Sequence, residues 1–370
     1  MSSGPAPAPR LFCFGYGYTA RTLARRLRAA DWAISGTGRN AETLAVLAGD
    51  GAVAFSFDRQ QPLADADAML TEATHLLSSV PPDAAGDPVL GCHAEAIAAM
   101  PKLRWVGYLS TTGVYGDTGG ALVDETAPLR PTAQRSVRRA VAEQAWLALH
   151  ASRGLPVQVF RLAGIYGPGR NPLDQVRRGE ARRIDRPGHL FSRIHVEDIA
   201  AVLQASIDHP DPGRIYNVCD DEAASPGDVT AFACRLLGVE PPPLVPFATA
   251  AASMSAMALS FWRDNRRVDN ARMKRELGVV RYPTYREGLS ALAAVQEGAM
   301  AHRRGMPPAV LALVLLVLAM AMRSAHLLRP HCRGRRAAGS GSCRRAGSGR
   351  PDRACRQRLR RSRARQGGGA

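Results

Sequence analysis

The sequence lacks paired cysteines. Its seven, at Cys13, Cys92, Cys219, Cys234, Cys332, Cys343 and Cys355, never form a C-x-x-C spacing. That excludes the usual zinc or redox dithiol signatures and fits inert thiols in a reducing cytoplasm. His75, His93 and His189 lack metal-ligand spacing, so no metal is expected. The opening MSSGPAPAPR lacks the apolar stretch of a signal peptide, and 1–9 reads as a disordered lead-in. The apolar run at 309–322 has 14 residues, short of the ~20 that cross a bilayer, which leaves only surface or tilted membrane contact open.

A basic body is also missing. The net charge is +17, but 17 of the 49 basic residues and one of the 32 acidic ones lie from Arg303 onward, leaving 1–302 at +1. No nucleic-acid partner is therefore expected of the body. Beyond the apolar run, 303–370 is nearly all Arg, Gly, Ala, Ser and Cys, which buries no core and should be disordered. It is either a tether for an anionic partner, such as a membrane surface or RNA, or a read-through or out-of-frame extension. The abrupt compositional break favours the extension.

What is present is an alternation of apolar runs of strand length with helical patterns. LFCFG (11–15), AISGT (33–37), AVAFSF (52–57), HLLSSV (75–80), WVGYLS (105–110) and VQVFRL (157–162) read as buried strands, with helices at Thr19–Ala30 and Ala41–Leu47. This is the pattern of an α/β, Rossmann-type, doubly wound parallel sheet. A long helix is expected over Thr132–Arg153, with Val137, Val141, Ala145 and Leu149 as its core stripe. Arg135 and Arg139 share a neighbouring stripe, and Glu143 follows Arg139 at i+4. After Gly167 the spacing loosens. Helices at Val196–Ile207, Pro226–Leu237 and Tyr285–Ala299 and a strand at 214–218 suggest a small C-terminal α/β lobe. The expected domains are a dinucleotide-binding domain at 10–167 and a substrate lobe at 168–302, some of whose segments return to the sheet.

Between the first strand and its helix lies Gly15-x-Gly17-x-x-Ala20. Gly15 permits a tight turn, Gly17 admits a pyrophosphate close to the backbone, and Ala20 lets helix and strand pack. Tyr18, inside the motif, and Val80, closing the fourth strand, complete the expected cradle. The second strand ends Thr37-Gly38-Arg39, without the carboxylate that would hold a ribose 2′-OH. Arg39 is suited to a 2′-phosphate, so NADP(H) is preferred and NAD(H) remains compatible. A solvated loop arginine is the alternative. Asp58 either meets the adenine amino group or caps a turn.

YLSTTGVYGD (108–117), RLAGIYGPGR (161–170) and IHVEDIA (194–200) follow in order. With the glycine loop they resemble the extended short-chain dehydrogenases/reductases, the NAD-dependent epimerase/dehydratase family, over about residues 10–300. The G-x-G-x-x-A loop and VDETAP (123–128) resemble an atypical, YeeZ-like subgroup. The resemblance implies hydride transfer by a nicotinamide cofactor and leaves a two-helix homodimer contact open. It also implies that Thr111 orients a substrate oxygen. Aligning on the A-x-E at 141–143 puts Arg135 where the family has its catalytic Tyr and Arg139 where it has Lys.

An arginine stays protonated and cannot cycle a proton as a phenol does. Arg135 and Arg139 are therefore expected to hold an anion between them, a substrate carboxylate or phosphate or the cofactor pyrophosphate. The alternative is a solvated face with Arg139 paired to Glu143. Tyr115 and His195 are candidate proton sources near the substrate, although packing roles suit both. Arg170 and Arg193 flank the expected cleft, and Asp198 is expected to cap its helix. The resulting expectation is a cytoplasmic NAD(P)-dependent oxidoreductase or epimerase acting on a small, possibly anionic molecule. The rival is a non-catalytic NADP(H) sensor.

Overall fold

The computed structural model describes residues 8–278 and 280–303. Most of the lead-in, the apolar run at 309–322 and the arginine-rich tail lie outside the described residues. Seven strands form one parallel sheet: β1 (Arg10–Phe14), β2 (Ala33–Gly38), β3 (Val53–Ser56), β4 (His75–Ser78), β5 (Trp105–Thr111), β6 (Val157–Leu162) and β7 (Ile215–Val218). Their order is β3-β2-β1-β4-β5-β6-β7. The order reverses between β1 and β4, so their carboxyl ends frame the crevice where doubly wound sheets take ligands.

Alternation along β1 sends side chains to two separate cores. Leu11 and Cys13 pack with Leu23 and Leu27 of α1 (Tyr18–Arg28) and with Ile199 and Leu203 of α7 (Val196–Asp208). Phe12 and Phe14 face the other way, with Val89 and Ile97 of α4 (Pro88–Ala98) and Trp146 of α5 (Gln134–Arg153). With both faces covered, the strands need continuous apolar runs, which is how the sequence writes them. The helix α2 (Ala41–Gly49) starts at Asn40, whose side chain accepts the Thr43 N–H at 2.9 Å. The helix α3 (Ala66–Thr71) links β3 to β4.

The C-terminal half adds α6 (Pro172–Arg177), α8 (Pro226–Leu236) and α12 (Tyr285–Arg303), which share a third core around Leu173, Val229 and Leu289. Between α8 and α12 come α9 (Phe247–Ala251), α10 (Ala256–Arg263) and α11 (Ala271–Leu277), none of which periodicity announces. Three two-stranded parallel ribbons stitch this half together: Gly164–Tyr166 with Arg193–His195, Arg183–Asp185 with Leu244–Pro246, and Leu122–Val123 with Arg267–Val268. Among the described residues, no helix is long and apolar enough to cross a membrane.

The buried face of α5 corrects the sequence expectation. Val141 is 54 % exposed, and Val137, Ala145 and Leu149 are only partly buried. The face turned inward carries Ser136, Ala140, Glu143 and Trp146. The apolar stripe read from the spacing of four lies around the helix from the true core, because a buried charge occupies a core position.

Candidate active site

The turn after β1 is shaped by backbone geometry. Gly15 has φ +84°, a conformation costly for residues with a Cβ. A Cβ there would also stand 2.9 Å from Ser79 Oγ and 3.3 Å from Val80 Cγ2. Two contacts pin the turn: the Gly15 N–H donates to Thr37 Oγ1 at 2.8 Å, and Ser79 Oγ donates to Gly15 O at 2.6 Å. Sequence reasoning missed both Thr37 and Ser79, whose hydroxyls carry no motif of their own. A Cβ on Gly17 would meet nothing within 4 Å. Gly17 is also the N-cap of α1, with no capping side chain and no acid in the first turn. Open space over uncapped amides at a positive helix end suits a pyrophosphate. The residues present therefore fit a dinucleotide.

The other cradle residues divide. Ala20 is fully buried between α1 and the sheet, and Val80 lies against the glycine turn. Tyr18 OH donates to Pro168 O at 3.0 Å, tying the first turn of α1 to the turn at Gly167–Arg170. Arg39 is exposed at the tip of β2. Asp58 caps a turn: its Oδ1 accepts the N–H groups of Gln60 and Gln61, both at 2.8 Å.

Beside the cradle opens a cleft of about 440 Å³, at the carboxyl ends of β5 and β6. Thr111, Arg135, Ser136, Arg193, Trp262 and Arg266 are among the residues that line it. Thr111 Oγ1 accepts the Gly113 N–H at 3.1 Å, which leaves its own O–H free to donate. Arg135 Nη1 donates to Ser260 Oγ at 2.9 Å, and its guanidinium lies 4.0 Å over the Phe261 ring. Arg266 Nη1 donates to Gly116 O and Asp264 Oδ2, both at 3.1 Å. Ser136, Phe261, Trp262 and Arg266 were not found from sequence, since three of them come from a segment without periodicity.

The sequence model of the NAD dependent epimerase/dehydratase family matches residues 15–219, from the glycine turn through β7. This chain belongs to that family. It is similar to Protein YeeZ of Escherichia coli strain K12, 28 % identical over 239 residues, or 62 % of this chain and 84 % of YeeZ. A functionally unknown conserved protein from Silicibacter pomeroyi DSS is 51 % identical, with a TM-score of 0.72 over 78 % of this chain and 99 % of that one. A dTDP-glucose 4,6-dehydratase from Bacillus anthracis, solved in complex with NAD, shares the fold at 17 % identity and a TM-score of 0.61, over 77 % and 96 %.

Within this epimerase/dehydratase frame, several expected site residues stand elsewhere. Arg135 and Arg139 were expected to share an anion, and their guanidiniums are held by different partners. Arg139 Nη1 donates to Leu109 O at 2.6 Å, whereas Arg135 donates to Ser260 Oγ. Nor does Arg139 pair with Glu143, which is buried against Arg161, with Ser110 Oγ donating to it at 2.8 Å. Tyr115 is 1 % exposed. Its hydroxyl donates to Asn217 Oδ1 at 2.6 Å and accepts from Arg161 Nη1 at 2.8 Å. A hydroxyl satisfied on both sides and walled from the cleft cannot meet substrate, so Tyr115 belongs to the core. Burial raises its pKa further.

His195 is the N-cap of α7, its Nδ1 accepting the Glu197 N–H at 3.2 Å. Burial, then the nearby Arg281, lowers its pKa to about 4, so it is neutral at pH 7 and packs edge-on against Tyr166. It does not line the cleft. The expected cap, Asp198, instead accepts the N–H groups of Arg281 and Tyr282 at 2.9 and 3.1 Å. Arg170 is exposed in its turn, outside the cleft wall.

Proposed function

We propose that this chain is an NADP(H)-preferring oxidoreductase or epimerase of the cytoplasm, acting on a small anionic molecule in the cleft. The observation that carries the reading is the adjacency of two sites. Tyr18 ties the uncapped end of α1 to the Gly167–Arg170 turn, next to Tyr166 in the cleft wall. Gly15, Gly17 and the α1 amides would hold the pyrophosphate, and Arg39 would hold a 2′-phosphate. When bound, the nicotinamide supplies hydride donation or acceptance at carbon. Thr111 would donate its free O–H to the substrate oxygen, and Arg135 would balance substrate charge. A guanidinium does not serve as a general acid, so a proton for that oxygen comes from water or from the substrate itself.

That last point favours a second reading, a dinucleotide sensor without turnover. Calorimetric titration of the full chain with NADPH and NADH, beside Arg39→Ala, tests the proposal. Tight NADPH binding is expected, weakened about tenfold to hundredfold in the variant as charge-assisted hydrogen bonds are lost. Binding of neither nucleotide would overturn both readings. Binding without nicotinamide oxidation by any carbonyl substrate would select the sensor.

A further inference from the structure

We infer that the cleft takes a small carboxylate with an apolar body, and that Arg193, not the Arg135–Arg139 pair, is its anchor. The inference rests on the proposal that this cleft is the substrate site, and names the substrate class.

Three arginines line the cleft, Arg135, Arg193 and Arg266, against one carboxylate, Asp264. That carboxylate is already engaged: Oδ1 accepts from Thr132 Oγ1 at 2.5 Å, and Oδ2 accepts from Arg266. Arg193 is held differently. Its Nη1 donates to two main-chain carbonyls, Phe191 O and Ala224 O, each at 2.8 Å. These bonds fix the guanidinium without neutralising it, and they engage only Nη1 of a side chain that lines the cleft. Asp220 is the nearby acid. It is 3 % exposed, neither oxygen has a side-chain hydrogen-bond partner, and burial raises its pKa to about 8 despite the opposing effect of Arg193. Among the described residues no carboxylate lies within salt-bridge distance of Arg193, so its buried guanidinium has main-chain carbonyls and no anion in contact. Burial accordingly pushes the Arg193 pKa down. An anion in the cleft would relieve that cost, through charge-assisted hydrogen bonds with the guanidinium.

The walls specify the body of the ligand. Phe191, Leu190, Phe261, Trp262 and Leu289 contribute apolar faces, and the polar lining is seven hydroxyl side chains, the Trp262 indole, the three arginines and Asp264. No Asn, Gln, His, Lys or Glu lines the cleft. A sugar presents many hydroxyl donors, and the one carboxylate that could accept from them is already engaged. An apolar acid presents none. The cavity volume lies in the range of small-molecule sites.

The test uses the full chain and three probes: cinnamate, its neutral analogue cinnamamide, and UDP-glucose. Binding is followed by calorimetry and by quenching of Trp262 in the cleft wall. The expected result is cinnamate binding at least tenfold tighter than cinnamamide, with UDP-glucose weaker than cinnamate. Arg193→Met should abolish the preference for the charged probe, and Arg193→Lys should retain part of it. If Arg193→Met fails to fold, the ranking of probes on the native chain and the Arg193→Lys result still decide. Equal binding of the acid and the amide, stronger binding of UDP-glucose, or an unchanged preference in a folded Arg193 variant would overturn the inference. A parallel NADPH titration separates the two proposals. Nucleotide binding without cinnamate binding sinks this inference alone, and cinnamate binding without nucleotide binding sinks the functional reading alone.

Discussion

Arg135 and Arg139, one turn apart on α5, are bound to different elements: one donates to Ser260 Oγ of α10, and the other to the Leu109 carbonyl of β5. Two side chains that look interchangeable in sequence therefore differ in burial, in partner and in what their loss would do.

That difference is measurable. Arg139→Ala removes a charge-assisted bond from a part-buried carbonyl and should cost about 1.5–3 kcal/mol. Arg135 is exposed, and its loss forfeits one hydroxyl contact and a stacking on Phe261, together under about 1 kcal/mol. Urea denaturation should show a clear fall in midpoint for Arg139→Ala and a small one for Arg135→Ala. The reverse order would contradict the geometry.

Glu143 and Arg161 form an ion pair at 1 % and 3 % side-chain exposure, extended by Ser110, Tyr115 and Asn217. Removing one partner strands the other in the core. Glu143→Gln or Arg161→Met alone should destabilise by about 3–5 kcal/mol, whereas Glu143→Met with Arg161→Met should recover much of the loss. A double-mutant cycle measures this, and simple additivity of the two single changes would refute it.

The glycine turn separates folding from binding. Gly17→Ala adds a methyl to open space, so stability should hold while nucleotide affinity drops. Gly15→Ala meets both a positive φ and Ser79, and should lower stability by about 1–2 kcal/mol as well as affinity. Thermal unfolding set beside nucleotide titration distinguishes the two; equal stability loss would refute the assignment.

Stability should peak near pH 6.5. His75, His189 and His195 have folded pKa values lowered to about 4, in each case chiefly by burial. The unfolded chain then binds more protons between pH 6.5 and 4, and stability is lost as pH falls through that window. Asp220 acts oppositely. Its pKa is raised to about 8, so the folded state holds its proton longer and stability declines as pH rises from about 4 to 8. Three histidines outweigh one aspartate below pH 6.5, and above it the Asp220 term remains, at up to about 1.4 kcal/mol per pH unit for the one proton. Denaturation midpoints from pH 4.5 to 8.5 should trace this dome, and a flat profile would exclude it.

The legible part of this protein was local. Strand, glycine turn and helix sit within 11–30, and each announces itself by alternation, by spacing or by a residue only one backbone conformation favours. The register of α5 was misread because Glu143 looks like a surface residue until Arg161, 18 positions later on β6, is known to neutralise it. The far cleft wall was unreadable for a similar reason. Phe261, Trp262 and Arg266 meet Thr111 and Arg135 only because Arg267–Val268 pairs beside Leu122–Val123, a contact with no short-range signature. Tyr115 and His195 drew attention as titratable groups in motifs, but burial assigned them to packing.

The two halves of the working site also differ in age on the ribosome. Every residue pinning the glycine turn has been made once Val80 is added, whereas the cleft has no far wall until the segment around 260–289 follows. Since chains are built from the N-terminus at a finite pace, an interval exists in which the nucleotide loop is synthesised and the pocket for its reaction partner is not. The glycine turn and the cleft wall are therefore built at different times, and a chain that ended before Ser260 would carry the first without the second.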